Sequence, residues 1–326
     1  MNIWGEKLKI SLFGESHGTA IGVVIDGLPH GFKLDCERIA TEMARRAPGQ
    51  SDVTTSRRES DKVEILSGLL NNITTGAPLC GIIRNVDARS YDYALDKLRP
   101  GHADWTAFLK FNGHADMRGG GAFSGRLTAP LTFAGAVARQ FLDKQNIIIS
   151  TESDVNYDEI LHVKSENDSI GGVIELTVEN IPEGLGGLFF GAVESRLSSL
   201  LFSIPAVKGV EFGDGFRFAT MRGSEANDQL CLKNGRIFAH SNHNGGVLGG
   251  ITNGLPLIAR VAIKPTPSIG LPQKTVDVSD MRETTITVGG RHDPCIVPRA
   301  MPVVEAAAAV CILDLILCSR SDGEYL

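Results

Sequence analysis

Lys7-Leu8-Lys9-Ile10-Ser11-Leu12-Phe13 runs into Gly14-Glu15-Ser16-His17-Gly18, and Thr19-Ala20-Ile21-Gly22-Val23-Val24-Ile25 follows directly. The first seven residues alternate polar and apolar side chains, as a half-buried strand does, and Ala20 to Ile25 is branched and apolar. The stretch reads as strand, glycine-rich turn, strand. Gly14 to Gly18 also matches G-x-S-x-G, the nucleophile elbow of α/β-hydrolases. That elbow needs a helix straight after the serine and oxyanion-hole strands before it. Here a strand follows and only a few residues precede, so a hydrolase fold is not expected.

Outward from this point, Asp35 is placed to cap a helix from Cys36 to about Arg45, with Ile39 and Met43 on one face and Pro48-Gly49 ending it. Val63 to Leu66 and Leu79 to Ile83 read as short strands, and Thr128 to Leu142 as a helix. Val173 to Val178, Val207 to Phe212, Leu257 to Ile263 and Thr284 to Val288 are further strands; Val193 to Phe202 and Val303 to Ser319 are helices. The last is apolar on every face, which suits a helix buried between layers. Gly22-Val23-Val24-Ile25…Pro29-His30-Gly31 is echoed by Gly172-Val173-Ile174…Pro182-Glu183-Gly184, either a duplicated β-α unit or coincidence. No low-complexity linker divides the 326 residues, so one domain over residues 1–326 is expected.

Apolar content of 42%, charged content of 21% and a formal net charge of −6 describe a soluble globular enzyme and not a general nucleic-acid binder. The six cysteines are scattered with no C-x-x-C, as in a protein with reduced thiols. The N-terminus shows no cleavage-site pattern, and the apolar run Ala306 to Leu317 is short and broken by Asp314. A cytoplasmic protein with no membrane partner is expected.

Three further blocks share the chemistry of the first: Arg99-Pro100-Gly101-His102-Ala103-Asp104, Arg118-Gly119-Gly120-Gly121 running to Ser124-Gly125-Arg126, and Arg291-His292-Asp293-Pro294-Cys295. Glycines free the backbone, arginines fork onto oxyanions and histidines titrate near neutrality. Together they suggest one site for a polyanionic substrate, with histidines moving protons. The glycine run before a helix lets N–H groups approach an anion. Its spacing is neither a Walker loop nor the dinucleotide fingerprint, and no metal-ligand spacing occurs. Arg291 and Asp293 are two apart on an extended segment, so they point together while His292 points away. His114-Ala115-Asp116 repeats the second block without its Arg-Pro-Gly lead and reads as a plain loop. His30, His162, His240 and His243 read as structural or exposed.

These blocks, in this order and with Lys264-Pro265-Thr266 between the last two, closely resemble the chorismate synthase family. So do Arg45-Arg46-x-Pro-Gly, Val63-Glu64-Ile65-Leu66-Ser67-Gly68, Thr74-Thr75-Gly76-x-Pro78 and Ser241-Asn242-His243-x-Gly-Gly. The resemblance implies an α+β fold, a β-α-β sandwich with a helical layer between antiparallel sheets, and homotetramers. It implies reduced FMN as cofactor and the anti-1,4-elimination of phosphate from 5-enolpyruvylshikimate-3-phosphate to chorismate, a carbon–oxygen lyase reaction of aromatic amino-acid biosynthesis. By motif match it assigns Arg46, Arg126 and Arg291 to the substrate, with Ser16 and Ser124 as neutral donors. His102 is the acid beside the leaving phosphate, His17 the proton partner of the reduced flavin, and Asp293 the base that relieves the flavin of a proton. Positions matched to FMN are Ala122, Phe123, Ser124, Pro205, Ala206, Gly249, Lys264, Pro265, Thr266, Pro267, Ser268 and Arg291.

The chain departs from the family pattern in several places. Ala47 and Asp52 stand where arginines are common, Ala122-Phe123-Ser124 where Arg-Ser-Ser is common, and Pro205 where asparagine is common. Phe123 has the shape to stack on a flavin ring. Asp52 would repel the phosphates of NADPH, so an external flavin reductant is expected.

Overall fold

The computed structural model describes residues 2–49, 61–85, 96–233, 235–289 and 293–319. Strands Lys9–Gly14 and Ala20–Asp26 form the hairpin expected from their alternation, with Ile10 opposite Ile25 and Leu12 opposite Val23. They join an antiparallel sheet whose order in space is Ile3–Trp4, Lys9–Gly14, Ala20–Asp26, Leu79–Arg84, Val63–Ser67. A second antiparallel sheet has the order Val207–Phe212, Leu257–Ile263, Gly172–Glu179, Ile148–Ser153.

Helices fill the space between the sheets. Thr128–Asp143 packs on the first sheet, Val297–Ser319 on the second, and the two helices pack on each other. Gly135 makes that crossing close, because a Cβ there would lie 2.2 Å from Ala306 Cβ. Helices Cys36–Arg46 and Val193–Leu201 flank this pair, and buried residues from both sheets and all four helices form one apolar cluster. Val297–Ser319 is long and apolar enough to cross a membrane, but it is packed inside the sandwich. Its fully buried Asp314 accepts from the N–H groups of Lys7 and Leu8 at 2.8 Å and pairs with Arg196. That satisfaction makes a carboxylate tolerable at this depth.

This helix starts six residues before the expected Val303, because Pro298 sits in the first turn, where its missing N–H costs nothing, and Pro302 is carried inside. The strand expected at Thr284 to Val288 lies at Arg282–Ile286. Helices Asp104–Lys110 and Tyr157–Ser165 were not expected.

The sequence echo corresponds to a structural repeat. Leaving aside the edge strand Ile3–Trp4, the short hairpins, short helical turns and helices Asp104–Lys110 and Tyr157–Ser165, each half runs strand, strand, helix, strand, strand, helix, and each sheet orders those strands first, second, fourth, third. In the first half Thr74 Oγ1 donates to Pro29 O at 2.7 Å and accepts from Phe32 N, while Thr74 O accepts from Gly31 N. In the second, Thr252 Oγ1 donates to Pro182 O at 2.6 Å and accepts from Leu185 N, while Thr252 O accepts from Gly184 N. Coincidence does not reproduce three bonds at matched positions. At the far end of both sheets from these turns, pseudo-equivalent connections meet: the Gly14–Ala20 turn, the chain after Arg84, the segment leading to Thr128, the chain after Ile263 and the segment leading to Val297.

Candidate active site

Three glycines form the centre of that meeting point. Gly119, Gly120 and Gly121 have φ of 60°, 87° and 54°, left-handed values that a side chain resists. A Cβ on Gly119 would lie 2.4 Å from His17 Nε2 and 3.0 Å from Ser16 Oγ; on Gly120 it would lie 3.2 Å from His102 Nε2. The turn is therefore threaded between the two histidines. Ser16 N donates to Gly121 O at 3.1 Å, which docks the first block on the third. Ser16 is fully buried, and among the described residues its hydroxyl has no hydrogen-bond partner. Such a group is costly unless a ligand satisfies it.

His102 belongs to a fixed array. Its Nδ1 lies 2.6 Å from Asp104 Oδ1, and Arg99 forks onto both Asp104 oxygens at 2.8 Å. Burial disfavours the Asp104 carboxylate, but the bonds from His102 and Arg99 outweigh it, and its pKa falls well below the usual carboxylate range. An ionised Asp104 accepts a hydrogen bond from His102 Nδ1–H, so the Arg99 Nη2 contact to Nδ1 at 3.1 Å is only proximity. Nε2 is left on the Gly120 side, free of the dyad, where it can exchange a proton.

The arginines are arranged around acids that the sequence reading missed. Arg46 and Arg126 share Asp61, whose side chain is wholly buried; Arg46 Nη1 donates to Asp61 Oδ2 at 2.7 Å and Arg126 Nη1 donates to Oδ1. Arg46 also donates to Thr128 Oγ1 at 3.1 Å and Gly125 O at 2.9 Å. Burial, then the Arg299 charge beside it, lower the Arg46 guanidinium to about 10, with Asp61 pulling the other way. The Asp61 carboxyl is held below its ordinary range, since the two guanidiniums outweigh burial. Asn85 ties this group to the histidine turn: its Oδ1 accepts from Arg126 Nε at 3.2 Å, and its Nδ2 donates to Glu15 O and Gly18 O at 3.0 and 2.8 Å. Ser124 Oγ accepts from Arg126 N at 3.3 Å.

Asp293 receives Arg299 Nη1 at 2.5 Å, and Arg299 Nε donates to Arg46 O. Arg299 is thus a described partner of Asp293; Arg291 and His292, like Asp52, lie outside the described residues, and the expectation that Arg291 and Asp293 point together lies there with them. Arg46 and Arg126 both pair with Asp61, and Arg299 pairs with Asp293, so three guanidiniums gather in one mostly buried place. Asp61 adjoins the Val63 block, which offered a weak hint; Asn85 and Arg299 carried no pattern at all.

Most cofactor candidates converge on the second block. Lys264 N donates to Ala206 O at 2.9 Å, next to Pro205, and Lys264 Nζ reaches Gly101 O. Burial and the nearby Lys208 lower the Lys264 ammonium pKa. Ser268 Oγ accepts from Arg99 Nη1 at 3.4 Å, and Pro267 lies against Gly101. Thr266 Oγ1 is buried and, like Ser16 Oγ, has no partner among the described residues. Ala122 and Phe123 are both exposed at the end of the glycine turn, and the Phe123 ring lies 6.3 Å from that of Phe111. Gly249 stands apart, at the opposite end of the sandwich, in a turn packed on Gly186 and Ala192. Among the described residues, no group of three His, Cys, Asp or Glu side chains is placed to hold a metal.

This arrangement can be set against known proteins. The family model described as chorismate synthase matches residues 8–156 and 151–317. The chain belongs to the chorismate synthase family. It is 44% identical to the chorismate synthase of Dehalococcoides mccartyi, over 97% of this chain and 96% of that one. Against the chorismate synthase of Thermococcus gammatolerans it is 45% identical, over 96% and 97%. A crystal structure of chorismate synthase superposes with a TM-score of 0.73 at 28% identity, covering 96% of this chain and 92% of that one. The family resemblance and the α+β sandwich inferred from the sequence are both borne out.

Proposed function

We propose that this protein catalyses the anti-1,4-elimination of phosphate from 5-enolpyruvylshikimate-3-phosphate to give chorismate, with reduced FMN as a cofactor that is not consumed. The observation carrying this reading is the glycine turn set between His17 and His102, backed by the gathering of Arg46, Arg126 and Arg299 in one place. A substrate with one phosphate and two carboxylates requires gathered cations, and an acidic chain would not gather them without cause. His102 donates a proton through Nε2 as phosphate leaves, while Asp104 holds Nδ1–H and stabilises the imidazolium. Arg126 and Arg291 bind the anionic groups, Ser16 and Ser124 donate neutral hydrogen bonds, and Arg46 adds charge from behind Asp61. His17 and Asp293 hold or accept protons on the cofactor side.

The residues fit a phosphate-bearing cofactor: Thr266 offers a buried hydroxyl with no partner among the described residues, and Lys264, two residues before it, a cation. Lys264 to Ser268, Pro205, Ala206, Arg291 and Ala122 to Ser124 would hold FMN. Bound and reduced, it supplies electron density for breaking the C–O bond with no net redox change. The test is an anaerobic assay with photoreduced FMN. Phosphate and chorismate should appear over many turnovers per flavin; oxidised flavin accumulating mole for mole with chorismate would refute the cofactor role. Tight binding with no phosphate release would mark a non-catalytic binder.

A further inference from the structure

Arg299 stands where electrostatics disfavours it. It lies in the first turn of the Val297–Ser319 helix, whose N-terminus carries positive partial charge, and its guanidinium is close enough to Arg46 to act on it as a like charge. Its side chain is only 17% exposed, so water screens little of this. Two bonds offset the cost. Nη1 holds Asp293 Oδ2 at 2.5 Å, and Nε donates to the carbonyl of Arg46, the last residue of the Cys36–Arg46 helix. That carbonyl is among the four a helix leaves without an internal partner. One planar group thus touches a carboxylate on one side and the end of the clamp helix on the other.

We infer that Arg299 is a positioning residue for the reaction, fixing the Asp293 carboxylate in register with the Arg46 end of the arginine cluster. The inference rests on the proposed proton-transfer role of Asp293. A carboxylate that moves a proton must be aimed, and a displacement near 1 Å can cost about a hundredfold in rate. Arg299 supplies the aim because its fork is rigid and its stem is held by the helix. Lysine keeps the charge but cannot span both partners with fixed geometry.

A double-mutant cycle on the FMN-reconstituted enzyme tests this, with kcat and KM measured for Arg299→Met and Arg299→Lys in the native and Asp293→Asn backgrounds. Arg299→Met should lower kcat about tenfold or more with little change in KM, and Arg299→Lys should fall between. In Asp293→Asn enzyme the same substitutions should cost less than about threefold, because the group being aimed is gone. Far-UV circular dichroism and thermal unfolding accompany each variant; should Arg299→Met fail to fold, Arg299→Lys carries the cycle. Equal losses in both backgrounds, or full activity of Arg299→Lys and Arg299→Met, would overturn the inference. Normal turnover of Asp293→Asn alone would instead remove the base role, and this inference with it.

Discussion

At the scale of single residues, the site depends on what is missing from Gly119 and Gly120 as much as on what the histidines carry. Gly119→Ala places a methyl 2.4 Å from His17 Nε2 at a φ that L-residues resist. Backbone strain should cost about 1–3 kcal/mol, and displacement of His17 should slow turnover about a hundredfold. Near-normal turnover in a steady-state assay of a folded Gly119→Ala enzyme would contradict the close approach. Asp104 supports a pH prediction. Its folded pKa lies below its unfolded value, so its contribution to stability is present above about pH 4 and is lost as pH falls through the folded value. Asp104→Asn should therefore flatten the acid limb of a melting-temperature profile and slow elimination about a hundredfold or more, because the dyad loses its Nδ1–H acceptor. The sequence made His17, His102, Ser16 and the glycines legible, since their chemistry is concentrated in short blocks. Asp61, Asn85 and Arg299 were not legible, because each carries contacts to partners 15 to 253 residues away, as in Arg46–Asp61 and Arg299–Arg46, that no local motif signals.

Among elements, the helical layers carry the molecule. Strand positions were legible because alternation and branched runs are local, and Val207–Phe212 and Leu257–Ile263 fall where the pattern puts them. Asp104–Lys110 was missed because it exposes Trp105 and Leu109 and buries only Asp104 and Ala107, leaving no apolar stripe to read. The Thr128–Asp143 and Val297–Ser319 crossing depends on Gly135, whose Cβ would meet Ala306 at 2.2 Å. Gly135→Val should destabilise the fold by about 1–3 kcal/mol through overpacking, read as a lower urea midpoint at unchanged slope. An unchanged midpoint would mean the helices can part freely. Glu305 joins the same layers, accepting from Arg45 at 2.6 and 2.9 Å, Arg139 at 2.8 Å and Thr151 at 2.7 Å. Removing one partner of such a buried group typically costs about 3–5 kcal/mol, so Glu305→Ala should fall in that range by chemical denaturation.

For the whole molecule, the exposed surface is less suited to water than the net charge of −6 implies. In the hairpin Leu230–Lys233 and Arg236–Ala239, Leu232 pairs with Ile237 and Leu230 with Ala239, so all four side chains share one face. Leu230, Leu232 and Ile237 are 67%, 78% and 68% exposed, and Phe189 and Phe190 reach 84% and 94%. An exposed apolar face such as this hairpin's is uncommon on monomers and suits contact with another chain. A homotetramer, which the family resemblance implies, would supply a partner, a second copy of this chain. Light scattering on the eluting protein should give about four times the 34.9 kDa chain mass. Leu232→Asp combined with Ile237→Asp places two charges on the shared face, and should lower the assembly order while leaving the far-UV circular dichroism unchanged, because neither side chain enters the core. The candidate site residues lie at the far end of the sheets from the Val247–Thr252 turns, so a site complete within one chain should keep its proposed FMN affinity in the doubly substituted protein at fixed chain concentration. A doubly substituted protein that remains tetrameric would remove this face from the interface. A native chain that elutes as a monomer at micromolar concentration would sink the tetramer itself.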